Sequence, residues 1–121
     1  NRKMICPHVG RALPILPGRY GLAYELRTDM SFGPWAPDVM TRPPASYIGQ
    51  LYVDTVSYHP AAVQCAIDTL GIDHVVFGSD SPPVPIPLKR AVDTVQDLRI
   101  SDADKQKILG GTAAKLLGLA F

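Results

Sequence analysis

The chain has 121 residues, 46% hydrophobic and 19% charged, with a formal net charge of +1, the balance of one soluble globular domain or of part of one. Its charges are scattered, which excludes a nucleic-acid stripe and a polybasic membrane patch, and no window approaches the roughly 20 apolar residues of a membrane span. A cytoplasmic protein is expected, with Cys6 and Cys65 as reduced core thiols because both fall in apolar runs without a C-x-x-C.

The chain opens on Asn1, and Met4-Ile5-Cys6 arrives with no turn or cap before it, so it reads as cut from something longer. Residues 3–6 form a first short strand, broken by Pro7-His8-Val9-Gly10. Apolar residues recur at helical spacing over 12–27, but Pro14, Pro17, Gly18 and Gly21 restrict the expected helix to 19–28. Four prolines make 31–44 a long loop, of the kind that carries function or insertions, and 44–50 suits a short helix with proline in its first turn. The run 51–56 (LYVDTV), rich in β-branched and aromatic residues, is the second strand. A helix over 60–70 follows, with Pro60 at its first position and Gly71 at its C-terminal cap.

The third strand is 74–78 (HVVFG), which runs into Ser79-Asp80 and a proline-rich loop. Leu88, Ala91, Val92, Val95 and Leu98 then mark the buried face of a helix over 87–98. Ser101-Asp102-Ala103-Asp104 resembles a capping box and opens a last helix through Leu117. Strands and helices alternate with connections long enough for right-handed parallel crossovers. The pattern is α/β.

All three strands end in polar or titratable residues: His8 after the first, Ser57, Tyr58 and His59 after the second, Asp80 after the third. In parallel sheets and barrels those ends share one rim, where ligands and catalytic groups sit. Each residue also has a plainer role open to it. Asp80 could bond to backbone N–H groups in a turn, His8 could be a hydrogen-bonded structural histidine, and His59 could simply lead into its helix. Asp54, inside an apolar strand, needs a polar partner and reads as structural. His74 belongs to the opposite rim and should be solvated. Arg11 and Arg19 suit the surface or a salt bridge, and an arginine near the His8 loop could hold an anionic substrate.

Four segments carry a family resemblance. His8-Val9-Gly10-Arg11-Ala12-Leu13-Pro14 with Gly18-Arg19 is similar to an HxGGxxP…GR motif, and Tyr52-Val53-Asp54-Thr55 to a YxDT strand. Residues 71–82 resemble GxDRVLFGSDYP, and residues 108–117 resemble ILxGNAxxLL. Together and in this order they resemble the amidohydrolase-related metal-dependent enzymes, the group that includes 2-amino-3-carboxymuconate 6-semialdehyde decarboxylase. The resemblance implies a (β/α)8 barrel of about 250 residues, of which 1–121 would be the last three strand–helix units. It implies Asp80 as a metal ligand, His8 as an acid/base group beside metal-bound water or substrate, a divalent ion, Zn²⁺ by expectation, and a small-molecule substrate to be hydrolysed or decarboxylated. The family's His-x-His pair and further ligand histidine are not in this sequence. Arg11, Ser81, Thr112 and the Tyr58-His59-Pro60 segment depart from the motifs and leave the substrate open.

A non-enzymatic receiver-type signalling module of this size is the competing reading. It fails because the first strand lacks an acidic pair after it and the last lacks a lysine. A partly folded chain without activity of its own is the third, with self-association expected through two open sheet edges.

Overall fold

The computed structural model describes residues 2–28 and 41–120. Its centre is a three-stranded parallel sheet of β1 (Met4–Cys6), β2 (Leu51–Asp54) and β3 (Val75–Val76), in the order β1-β2-β3. Met4 pairs with Leu51, and Val53 with Val75. Parallel pairing requires each connection to cross the sheet, and three short helices, α1 (Pro17–Glu25), α2 (Ala45–Ile48) and α3 (Pro60–Leu70), lie in those connections. After β3 come α4 (Leu88–Gln96), α5 (Asp102–Gln106) and α6 (Thr112–Leu117).

The core forms where the β-branched residues of the central strands meet the helices. Val53, Val63, Val75, Val95 and Ile108 are fully buried, with Ala66, Leu70 and Leu98 packed around them. Burial on both faces explains the unbroken apolar run of β3. By contrast β1 is a sparsely covered edge, with Met4 59% and Ile5 54% exposed.

Several sequence expectations shift. The first helix starts at Pro17, earlier than expected, because proline is pre-set for a first helical turn, and it closes in a 3₁₀ turn over Leu26–Thr28. Of the loop expected over 31–44, residues 31–40 lie outside the described residues. The third strand is shorter than 74–78, since Ile72–His74 forms a 3₁₀ turn. His74 is not free in solvent: its Nδ1 lies 2.8 Å from the Leu51 carbonyl and its ring stacks on Tyr52 at 4.9 Å. Leu88, expected on the buried face of its helix, is 60% exposed at the first position of α4. Cys65 is exposed, not a core thiol, and Cys6 is partly buried. Both are free, and no helix among the described residues is long and apolar enough to cross a membrane.

The last helix is not continuous. Lys107–Gly111 widens into a π-helical segment between α5 and α6, at the Gly110-Gly111 pair where helix propensity is weakest. This segment turns the buried Ile108 toward the sheet, and its carbonyl accepts the Phe77 N–H at 2.9 Å. One backbone donor just beyond β3 is thereby satisfied by a helix instead of a strand.

The start of α5 confirms the capping pattern. Ser101 Oγ accepts the Asp104 N–H at 3.1 Å and donates to Asp104 Oδ2 at 2.8 Å. Lys107 Nζ reaches Asp104 at 3.2 Å and Asp73 at 3.4 Å, tying α5 to the turn before β3. The Ser101 hydrogen bond first, and Lys107 second, hold the Asp104 carboxyl below its ordinary range. Hydrogen bonds to Asp104 and Asp73 raise Lys107. A depressed carboxyl contributes stability above its unfolded pKa and loses it as pH falls through the folded value; a raised lysine contributes below its unfolded pKa and loses it as pH climbs. Asp104→Asn should therefore melt slightly below wild type at neutral pH, and circular-dichroism melts should converge as pH falls below the carboxylate range.

Candidate active site

The C-terminal ends of the three strands share one rim, and the residue pair Asp54-Thr55 at the end of β2 organises it. Asp54 reaches toward the β1 loop: its Oδ1 accepts the N–H of Val9 at 2.9 Å and that of Val56 at 3.0 Å. Thr55 reaches toward the β3 side, its Oγ1 accepting the Gly78 N–H at 3.2 Å and donating to the Gly78 carbonyl at 3.3 Å. A side chain thus continues the ladder where backbone pairing stops. The central strand holds both neighbouring loops in place.

Two glycines permit this closeness. A Cβ on Gly78 would stand 2.8 Å from Val56 Cγ2 and 2.9 Å from Asp54 Cβ. At Gly10, φ is +69° and a Cβ would come within 2.6 Å of Val53 Cγ1, so both space and backbone conformation call for glycine there.

Held this way, the loops deliver His8 and Asp80 to the same place. His8 Nε2 lies 3.9 Å from Asp80 Oδ1, with the side chains 46% and 30% exposed. His8, Val9, Arg11, Tyr58 and Asp80 all have φ between 52° and 56°. Non-glycine residues rarely adopt this region, least of all a β-branched one such as Val9, and such strain clusters at functional sites. All five sit at the ends of the three strands.

The remaining residues fall as follows. His59 caps α3 in an extended conformation, with its N–H 3.3 Å from Ser57 Oγ, which is the helix-entry role. Tyr58 Oη donates to the Ser79 carbonyl at 3.0 Å, and the Arg90 guanidinium stands 5.8 Å from its ring. Burial first, then the Asp80 carboxylate, raise the Tyr58 phenol above its ordinary range, with Arg90 opposing. The sequence marks Asp54 as structural, Tyr58 as a rim residue and Thr55 as part of the YxDT resemblance, and the structure adds the bonds that Thr55 and Tyr58 make to Gly78 and Ser79.

The Asp80 carboxylate accepts no hydrogen bond among the described residues, so its oxygens are open to a hard cation. No group of three metal-ligating side chains occurs among the described residues. The rim therefore suits one side of a divalent site, whose catalytic form takes about three protein ligands. A cleft of about 720 Å³ lies elsewhere, lined by α3 residues such as Gln64 and Cys65 and by Arg99, and includes neither His8 nor Asp80.

Residues 2–119 match the family model described as amidohydrolase. The chain belongs to the amidohydrolase family. It is 27% identical to a 2-amino-3-carboxymuconate-6-semialdehyde decarboxylase of Dictyostelium discoideum and 28% identical to that of Caenorhabditis elegans, over 98% and 97% of this chain. It spans 32% and 28% of those two relatives. Among solved structures, the chain superposes with a TM-score of 0.82 on a 5-carboxyvanillate decarboxylase from Sphingomonas paucimobilis, at 24% identity, covering 98% of this chain and 34% of that one. A dihydroxybenzoic acid decarboxylase from a Polaromonas species, with bound manganese and the inhibitor 2-nitroresorcinol, gives a TM-score of 0.75 at 27% identity, over 96% of this chain and 33% of that one. The chain thus spans about a third of each of those two structures.

Removing the Asp54 carboxylate would orphan two amides, and each lost partner costs roughly 1–3 kcal/mol where the group is buried. Asp54→Ala should therefore lower stability in urea denaturation and speed hydrogen exchange at the Val9 N–H well beyond that at Val63.

Proposed function

We propose that this chain forms the C-terminal part of a larger barrel whose function is metal-dependent, non-oxidative decarboxylation of a small carboxylic acid, with hydrolysis as the alternative outcome at the same rim. The observation that carries the reading is the approach of His8 Nε2 to Asp80 Oδ1, 3.9 Å, at the shared rim of parallel strands. It is supported by the family and by relatives named as decarboxylases. The barrel reading is supported by the share of those relatives that the chain spans, about a third.

In this reading Asp80 is a metal ligand and His8 the acid/base group. The ion is divalent: Zn²⁺ is the expectation from sequence, and the manganese held by the Polaromonas enzyme makes Mn²⁺ its rival. Such an ion, when bound, supplies positive charge that steadies negative charge developing on the substrate. The chain's own residues supply position and proton transfer. As the C–C bond to the carboxylate breaks, its electron pair stays on the substrate carbon and CO₂ leaves. His8 Nε2 then gives a proton to that carbon, a step that general acids accelerate by about 10²–10⁴-fold. The free thiols of Cys6 and Cys65 accord with a reducing, cytoplasmic setting.

The test is made in the full-length protein, loaded in turn with Zn²⁺ and Mn²⁺ and assayed for CO₂ release from 2-amino-3-carboxymuconate 6-semialdehyde, 5-carboxyvanillate and 2,6-dihydroxybenzoate. Asp80→Ala should abolish turnover and reduce metal content, while His8→Ala should keep the metal and lower kcat by about 10²-fold or more. A metal-free His8 variant beside a metal-replete, active Asp80 variant would reverse the two roles. The 121-residue chain alone, whose β1 edge is exposed, should self-associate, and sedimentation showing a monomer at high concentration would contradict that part of the reading.

A further inference from the structure

Tyr58 is the rim residue for which the proposed chemistry has no task, yet its placement is specific. Its φ of 52° is one that side-chain-bearing residues avoid. From there its hydroxyl donates to the Ser79 carbonyl at 3.0 Å, across 21 residues of sequence. That carbonyl belongs to the peptide joining Ser79 to Asp80.

The carboxylate of Asp80 accepts no hydrogen bond among the described residues, so the backbone that carries it is the part held in place. Four bonds hold that backbone. Thr55 grips Gly78 through both its N–H and its carbonyl, Tyr58 grips Ser79, and the Asp80 carbonyl accepts the Val84 N–H at 3.0 Å. Ser79 Oγ also accepts the Ser81 N–H at 3.3 Å within the same loop, and the Tyr58 bond is the anchor beside Asp80 that comes from another strand end. Asp80 also has a φ of 55°, and a residue in that region stays there only where its surroundings over-determine it.

Two roles are open to a phenol beside carboxylates: an acid/base group, or a fixed donor. The hydroxyl points at the Ser79 carbonyl, 3.0 Å away, an acceptor with no proton to give. A phenol that directs its proton at a backbone carbonyl is placed as a donor and not as a base. We infer that Tyr58 is a positioning residue: its hydroxyl fixes the Ser79–Asp80 peptide and so keeps the Asp80 carboxylate facing His8 Nε2. The geometric part stands on its own, and only its effect on turnover rests on the function proposed above.

Tyr58→Phe keeps the ring and removes the hydroxyl, which separates positioning from packing. Crystal structures of wild type and variant should show the His8–Asp80 separation lengthened by about 1 Å or more, and misplacement of that order costs up to about 10²-fold in rate. In the assay above, kcat should fall about 10–100-fold, with KM within about twofold and Tm within about 3 °C of wild type. An unchanged His8–Asp80 separation would overturn the inference, whatever the kinetics show. So would a variant whose melting temperature falls while separation and kcat hold, because the hydroxyl would then serve stability alone. Should Asp80→Ala leave turnover intact, the proposed function fails, and the separation measured in the Phe variant still decides the role of Tyr58.

Discussion

The rim depends on one short feature, the Asp54-Thr55 pair where the central strand ends. Asp54 binds the loop after β1 through the Val9 N–H, and Thr55 binds the segment after β3 through both polar groups of Gly78. Two consecutive side chains thus extend sheet order past the point where backbone pairing stops. Without that hold, the His8 and Asp80 loops would have no common reference, since neither makes a direct backbone bond to the other among the described residues.

The same pair accounts for strain that would otherwise be hard to keep. Residues in sparsely populated backbone regions cost on the order of 1–3 kcal/mol each, and His8, Val9, Arg11, Tyr58 and Asp80 are all such residues. A loop free to relax would give up that conformation. Here the amide of Val9 is taken by Asp54, and glycines at 10 and 78 let the chains approach to distances a methyl group would forbid. The absence of a side chain at two positions and a hydrogen-bonding side chain at a third jointly hold the loops in an uncommon shape.

The order of strands and the sharing of one rim were legible in the sequence, because both follow from the alternation of elements and from polar residues placed at strand ends. His8 and Asp80 could be paired from that logic together with the family's motifs. Element boundaries were less legible. The end of β3 depends on Thr55, a residue distant in sequence, and the break in the last helix depends on Ile108 being drawn against the sheet while Gly110-Gly111 yields. His74 shows the same limit: its position at the opposite rim was readable, but its hydrogen bond to Leu51 and its stack on Tyr52 depend on register. The burial of Leu88 and Cys65 was misjudged for a related reason, since periodicity identifies an apolar face without saying whether anything packs against it.

The π-helical segment has a further consequence. By offering the Ile108 carbonyl to Phe77, it occupies part of the outer side of β3 with a helix, whereas among the described residues β1 leaves Met4 and Ile5 exposed. The sheet is therefore unequal at its two borders. Edge-to-edge growth into a filament needs two available borders on every copy, one to receive and one to offer. With one border stoppered, two copies meeting through β1 would use up the strands that could recruit a third.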